Sequence, residues 1–329
     1  MRQVPASTMI ELLLPIWQRV LRVSSITAED NFFDLGGDSS LALELFNEIA
    51  RVCGRNLPPV MIYHTPTIAA LAALLEDPST PRVPPLVPLK PAGEGPPVFV
   101  THGLGGSVID FFQVVRNIQT SHPIYGMQSR GIDGVGAPFD RIEDIARFYL
   151  DAVKELQPRG PYILIGYSFG GLVTLEMAQR LTAGGERVAL LAMLDSYPNP
   201  RYLSLQQRIR LAIQQARKRA SGRPKRWLDL AASYQPLSDT VLSPSMQRFR
   251  DSAFLALERY RPSSYTGKIH FVRAAIPTSF PADAAAVWGP LAKQLVVDTV
   301  PGDHLGIMST YYKELATVLS RYLREAVCS

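Results

Sequence analysis

The chain has only two cysteines in 329 residues, Cys53 and Cys328. Two thiols so far apart make neither a disulfide framework nor, alone, a zinc site. No stretch of 18 or more apolar residues occurs, which excludes an apolar transmembrane helix. The segment Met9–Pro15 carries a carboxylate and a proline and lacks the basic start and small-residue cleavage site of a secretion signal. The expectation is a cytoplasmic protein without metal. Charged residues are few at 19%, while 47% of the chain is apolar and mean hydropathy is near zero. Such a chain can bury a sizeable core, so wholesale disorder is excluded, and its length suits two domains.

The net charge of +5 is unevenly placed. Residues 1–76 hold five arginines against eight carboxylates, a net of −3. Residues 199–265 hold 13 Lys/Arg against four carboxylates, a net of +9. The core of that excess is Arg208, Arg210, Arg217, Lys218, Arg219, Arg223, Lys225 and Arg226. Neither interleaved aromatics nor a DNA-binding motif accompanies it, so nucleic acid is not an expected partner. A solvated helix face, a docking surface for the acidic N-terminal part, and contact with an acidic substrate or membrane are its readings, with membrane contact disfavoured.

Residues 77–97 contain eight prolines in 21 positions. Proline fixes φ and removes a donor, so the stretch reads as a stiff extended linker and not as a helix or central strand. It divides the chain into residues 1–76 and 98–329. The first part shows helical apolar spacing at Ile10–Leu21, Leu41–Ile49 and Ile68–Leu75, a small bundle. The second alternates short apolar runs at 97–102, 123–128, 162–167, 188–194, 268–274 and 295–300 with helical patterns at 142–157, 169–183 and 309–326. That alternation predicts a mostly parallel sheet covered by helices on both faces. The basic segment 199–265 is an insertion with its own helical pattern (Tyr202, Leu205, Ile209, Ala212, Ala216), lying outside the sheet.

Gly166-Tyr167-Ser168-Phe169-Gly170 matches G-x-S-x-G between a strand and a helix, the context a nucleophile elbow requires. Among five histidines, His304 follows the last strand, where the hydrolase chain order places its base. His270 reads as core, and His102 as a packing group at the start of a glycine loop. The acid is less direct. The end of the penultimate strand carries no carboxylate before Asp283, whereas Asp195 ends the strand beside that of Ser168. Asp195 is the choice for orienting His304, with Asp303 and Asp283 as alternatives. The amides of Phe169 and Leu104, the latter in His102–Gly106, are the expected oxyanion donors. In the first part, Asp38 and Ser39 open a helix after a glycine turn. This is either an ordinary N-cap or a site where amides and dipole stabilise a phosphodiester.

Phe32-Phe33-Asp34-Leu35-Gly36-Gly37-Asp38-Ser39 resembles the phosphopantetheine attachment motif of carrier domains in nonribosomal peptide synthetases. The resemblance implies covalent 4'-phosphopantetheine on Ser39, placed there by a phosphopantetheinyl transferase. Ser40 stands where the familiar pattern has leucine and is the alternative. Residues 96–326 resemble the chain-terminating thioesterases of the same synthetases, α/β-hydrolases with a helical lid, through His102–Gly106, Gly166–Gly171, Leu194–Tyr197 and Gly302–His304. In that family the acid lies at the position of Asp195, and 199–265 corresponds to the lid. The resemblance implies release of an acyl or peptidyl thioester delivered by upstream synthetase modules, through an acyl-Ser168 intermediate, by hydrolysis, macrocyclisation or transfer. An acyltransferase with a separate acceptor and a non-catalytic acyl-binding pair are the alternatives.

Overall fold

The computed structural model describes residues 6–77, 82–220, 244–277, 281 and 283–327. Arg223, Lys225, Arg226 and Cys328 lie outside the described residues. Helices α1 (Ala6–Leu21), α2 (Ser39–Cys53) and α3 (Ile68–Glu76) form the first part. Their apolar stripes bury Leu13, Trp17, Leu45 and Leu71 in one core, completed by Phe32 from the loop before α2, which Trp17 meets edge-on at 5.4 Å. Thr67 and Asp38 cap α3 and α2 by accepting from Ala70 N and Leu41 N, and Gly54 ends α2 in the left-handed region.

The second part is a seven-stranded sheet in the order β1-β3-β2-β4-β5-β6-β7. Its strands are β1 (Leu86–Lys90), β2 (Val98–Thr101), β3 (Ile124–Met127), β4 (Tyr162–Tyr167), β5 (Val188–Leu194), β6 (Tyr265–Ala274) and β7 (Ala292–Val300). All pairings are parallel except that of β1 with β3. Strand β1 corrects the reading of 77–97 as linker throughout. Pro88 is tolerated because β1 is an edge strand with one neighbour, and the register slips between Pro88 and Lys90.

Helices α4 (Phe112–Asn117), α5 (Ile142–Leu156) and α6 (Phe169–Ala183) follow β2, β3 and β4. Strand β4 is buried at every position, as expected of a strand covered on both faces. The insertion supplies α7 (Leu205–Ala220) and α8 (Pro244–Arg259), and the chain closes through α9 (Ala284–Trp288), α10 (Gly306–Ser309) and α11 (Tyr312–Val327). On α7 the apolar residues that mark the helical pattern, Leu205 and Ile209, are exposed, and Leu211 is the one that joins the core. Phe249, Ala253 and Leu257 bring α8 down onto the face formed by α5 and α6. No helix among the described residues is long and apolar enough to cross a membrane.

Candidate active site

The carboxyl ends of β2, β4, β5 and β7 share one edge of the sheet, the edge where open α/β sheets gather ligands. Each contributes one group. At the end of β4 the chain turns directly into α6, and Ser168 takes φ 55°, ψ −117°. A side chain in that region is strained by about 1–3 kcal/mol, so the surroundings must hold it. They do: Ser168 N donates to Leu194 O at 2.8 Å, and Gly171 N donates to Ser168 O at 3.1 Å. The turn also needs α6 pressed against its neighbours. A Cβ on Gly171 would lie 2.5 Å from Ser196 Cβ, so no other residue fits there. Ser168 thus stands at the positive end of a 15-residue helix.

His304 approaches from the loop after β7. Its Nε2 lies 2.9 Å from Ser168 Oγ and its Nδ1 lies 2.8 Å from Asp195 Oδ2. All three side chains are buried, Ser168 at 8% and Asp195 and His304 at 5% exposure. An ionised carboxylate only accepts, so Nδ1 carries the proton and Nε2 presents its lone pair to the serine hydroxyl. Asp195 itself sits at φ 44°. Its amide donates to Val272 O at 2.7 Å, and its Oδ1 accepts from Ala274 N at 3.1 Å, which fixes the carboxylate against β6.

Tyr167, which the sequence presents only as the variable position of the motif, steadies the imidazole from behind. Its hydroxyl donates to His304 O at 2.7 Å, and its ring stacks on the imidazole at 5.0 Å with 24° between planes. Burial and the nearby Asp195 carboxylate push the phenol well above its ordinary pKa, so it stays a donor. The alternatives for the acid are engaged elsewhere. Asp283 Oδ1 accepts from Ala286 N and caps α9, and Asp303 Oδ1 accepts from Gly306 N in the turn that leads into α10.

The loop after β2 lies beside the serine: a Cβ on Gly103 would sit 3.6 Å from Ser168 Cβ. Leu104 is buried there, and the Phe169 amide belongs to the first turn of α6, whose amides have no partner within their own helix. Phe249 of α8 covers this loop, packing on Gly106 with its ring 5.2 Å from that of His102 and 6.3 Å from that of Phe169. The insertion therefore reaches the rim of the site.

Both nitrogens of His102 are occupied, Nδ1 with Gly103 O at 2.7 Å and Nε2 with Tyr149 OH at 2.9 Å. A carbonyl can only accept, so Nδ1 is the donor, and the imidazole braces the loop as a neutral group. Burial lowers its pKa to about 4, and burial does the same to His270 on β6. Below pH 6.5 the unfolded chain takes up protons that these folded imidazoles refuse, so stability should fall from about pH 6.5 towards pH 4. Melting temperature across that range checks this. In His102→Gln the acid decline should be shallower, although the variant starts from a lower value at pH 8. An equal slope would show that His102 takes no part.

In the first part of the chain, the turn Phe33–Asp38 delivers Ser39 as the first residue of α2. Gly36 takes φ 89°, and Gly37 lies against the Phe32 ring. Asp38 is occupied as the cap, its Oδ1 accepting from Leu41 N at 2.9 Å, and Ser40 is exposed. A hydroxyl residue that opens a 15-residue helix at its positive end fits the chemistry of an attached phosphodiester.

Comparison with known proteins follows the same division. The family model "Thioesterase domain" matches residues 96–323, and "Phosphopantetheine attachment site" matches 11–75. The dimodular nonribosomal peptide synthase of Bacillus subtilis (strain 168) is 39% identical over 196 residues, covering 59% of this chain and 8% of the relative. Malpibaldin synthetase of Mortierella alpina is 31% identical over 278 residues, 80% of this chain and 5% of the relative. The chain thus spans a small share of these proteins. Among solved structures, the four-domain nonribosomal peptide synthetase holo-AB3403 bound to AMP and glycine superposes with TM-score 0.60 at 21% identity, covering 98% of this chain and 26% of its own. The NocB thioesterase domain from the nocardicin cluster gives 0.55 at 24% identity, covering 73% and 98%. These likenesses bear on the fold: carrier helices followed by an α/β-hydrolase.

Proposed function

The chain belongs to the thioesterase domain family and carries a phosphopantetheine attachment domain ahead of that domain; from this premise we propose that it releases an acyl or peptidyl chain from its own carrier domain through an ester on Ser168. One observation carries the reading. Ser168 Oγ, His304 and Asp195 form a buried line with contacts of 2.9 and 2.8 Å, and the serine stands on a strained turn at a helix N-terminus. Residues 1–76 act as carrier and the sheet from β1 onward as the releasing domain.

Phosphopantetheine attached to Ser39 supplies a thiol on a long arm, which holds the chain as a thioester. A phosphopantetheinyl transferase installs it and upstream synthetase modules load it. Tethering gives the thioester a high effective concentration at Ser168. His304 Nε2 takes the hydroxyl proton as Ser168 Oγ attacks the thioester carbonyl carbon. The Phe169 and Leu104 amides donate to the oxygen as it becomes an oxyanion; one such donor is worth roughly 10²–10³ in rate. Asp195 holds the Nδ1 proton and stabilises the imidazolium. The carbon–sulfur bond breaks, His304 returns its proton to the departing sulfur, and the acyl group remains on Ser168. An acceptor with an O–H or N–H bond then gives its proton to His304 and takes the acyl group, restoring Ser168. Water as acceptor gives the acid, and an amine or hydroxyl of the chain itself gives a ring.

A fluorophosphonate probe tests the nucleophile without a loaded carrier. It should add one mass increment to the full chain, on Ser168, and none to Ser168→Ala. Ser39→Ala should label at the wild-type rate and His304→Ala more slowly by about 10³-fold or more. Labelling of a different residue, or none in the wild type, would remove the mechanism.

A further inference from the structure

The loop that holds Leu104 runs on without a break into a 3-10 turn (Val108–Phe111) and then α4. The carrier part sits on this segment. Phe33, in the same turn that leads to Ser39, stacks on Phe112 at 5.1 Å with 26° between planes. Tyr63 packs tilted against Phe33 at 5.0 Å, with 33° between planes, and lies 6.4 Å from Phe112. Arg116 lies over the Phe112 ring at 5.3 Å and donates to Phe33 O at 3.5 Å. Alongside, Val60 of the carrier packs on Val87 of β1 and Val108, and Ile109 packs against the carrier core.

From these contacts we infer that Phe112, Arg116 and Val108 form the face by which the releasing domain takes its own carrier, with Phe33 and Tyr63 as the matching anchors. The inference rests on the release reading above and names the partner surface that reading lacks. Two features carry it. Phe33 opens the short glycine turn that delivers Ser39, so clamping Phe33 fixes the point from which the arm leaves. Phe112 lies eight residues beyond Leu104, at the end of the segment bordering Ser168, so the clamp sets the arm's origin relative to the oxyanion loop. The contact is mainly aromatic and aliphatic, and the charged groups beside it, Arg116 and Asp110, both act on the buried Tyr63 hydroxyl with opposite sign. Recognition through it depends on shape and burial, which salt screens little, and not on attraction between the acidic carrier and the basic insertion.

The test uses the full chain, with the carrier primed with octanoyl-pantetheine from octanoyl-CoA and followed by intact mass. Phe112→Ala should slow loss of the octanoyl group by at least about tenfold, the scale of an aromatic anchor. Phe33→Ala should do the same, and the double variant should lose little more, because the two remove one contact. Fluorophosphonate labelling of Ser168 should stay within about twofold of wild type in all three, which shows an intact site. Raising salt from 0.05 to about 0.5 M should leave the wild-type release rate nearly unchanged. Normal release by Phe112→Ala and Phe33→Ala, beside a Ser168→Ala protein that holds its octanoyl group, would overturn the docking face and leave the release reading standing. A steep fall with salt would also overturn it, in favour of the basic insertion as the carrier's partner. If the wild type itself keeps the octanoyl group as long as Ser168→Ala does, the release reading fails and the docking face goes with it.

Discussion

Ser168→Ala should hold an acyl group on the carrier that the wild type sheds, with release slower by about 10⁴-fold or more. The size follows from what the substitution removes. The proposed oxyanion donors and the tether are untouched by the substitution, so on that mechanism the thioester still arrives and its carbonyl is still polarised. What disappears is the hydroxyl oxygen 2.9 Å from His304 Nε2, the atom proposed to form the ester. Water would have to take its place without a fixed position. Alanine also lacks any hydroxyl interaction at φ 55°, but the backbone bonds from Ser168 N and Gly171 N that hold the turn do not involve the side chain. The fold should therefore stay intact. Ser39→Ala gives the complementary result: no mass gain on priming and unchanged fluorophosphonate labelling at Ser168. Priming of Ser39→Ala would move the attachment to Ser40, and unimpaired release by Ser168→Ala would dismiss the ester intermediate.

Much of this was legible in the chain because the signals are local and periodic. The strands of the parallel sheet are continuous apolar runs, and G-x-S-x-G betrays itself by standing between such a run and a helix. The position of Asp195 was legible only by elimination and by resemblance, since nothing in the residues around it distinguishes an orienting carboxylate from a cap. Structure supplies the difference: Asp195 faces an imidazole, whereas Asp283 and Asp303 each face a backbone amide three residues further on. Strand β1 was hidden by Pro88, which disqualifies a central strand but not an edge with one neighbour. Tyr167 and Phe112 left no trace for another reason. A ring that stacks across more than a hundred residues of sequence, or between two parts of the chain, has no periodicity to reveal it. Phe33 was visible as part of a motif, but its partner was not. The apolar spacing of the basic insertion predicts helix α7, yet which of its faces turns inward depends on packing that spacing alone does not specify.

Asp195→Asn should cut release by about 10⁴-fold while leaving the fold and its melting temperature nearly unchanged. Asparagine is the residue best able to keep the local structure. It tolerates φ 44° better than most side chains, and its Oδ1 can go on accepting from Ala274 N as the carboxylate does now at 3.1 Å. The atom that then faces His304 Nδ1 is an amide nitrogen, a donor. Nδ1 must become the acceptor, the ring proton moves to Nε2, and the imidazole offers Ser168 an N–H where it needs a lone pair. The base is lost though every heavy atom stays in place. Asp195→Ala is the less informative change, because it also strips Ala274 N of its buried acceptor and lowers stability. The same substitution at the two other carboxylates separates a catalytic role from a structural one. Asp303→Asn and Asp283→Asn keep an oxygen for Gly306 N and Ala286 N and should release at rates within a few-fold of wild type. If Asp303→Asn fell as far as Asp195→Asn, the acid would have been assigned to the wrong strand end. If Asp195→Asn released normally, His304 would need no carboxylate to set its tautomer, and the Tyr167 stack with its hydroxyl bond to His304 O would have to hold the ring alone.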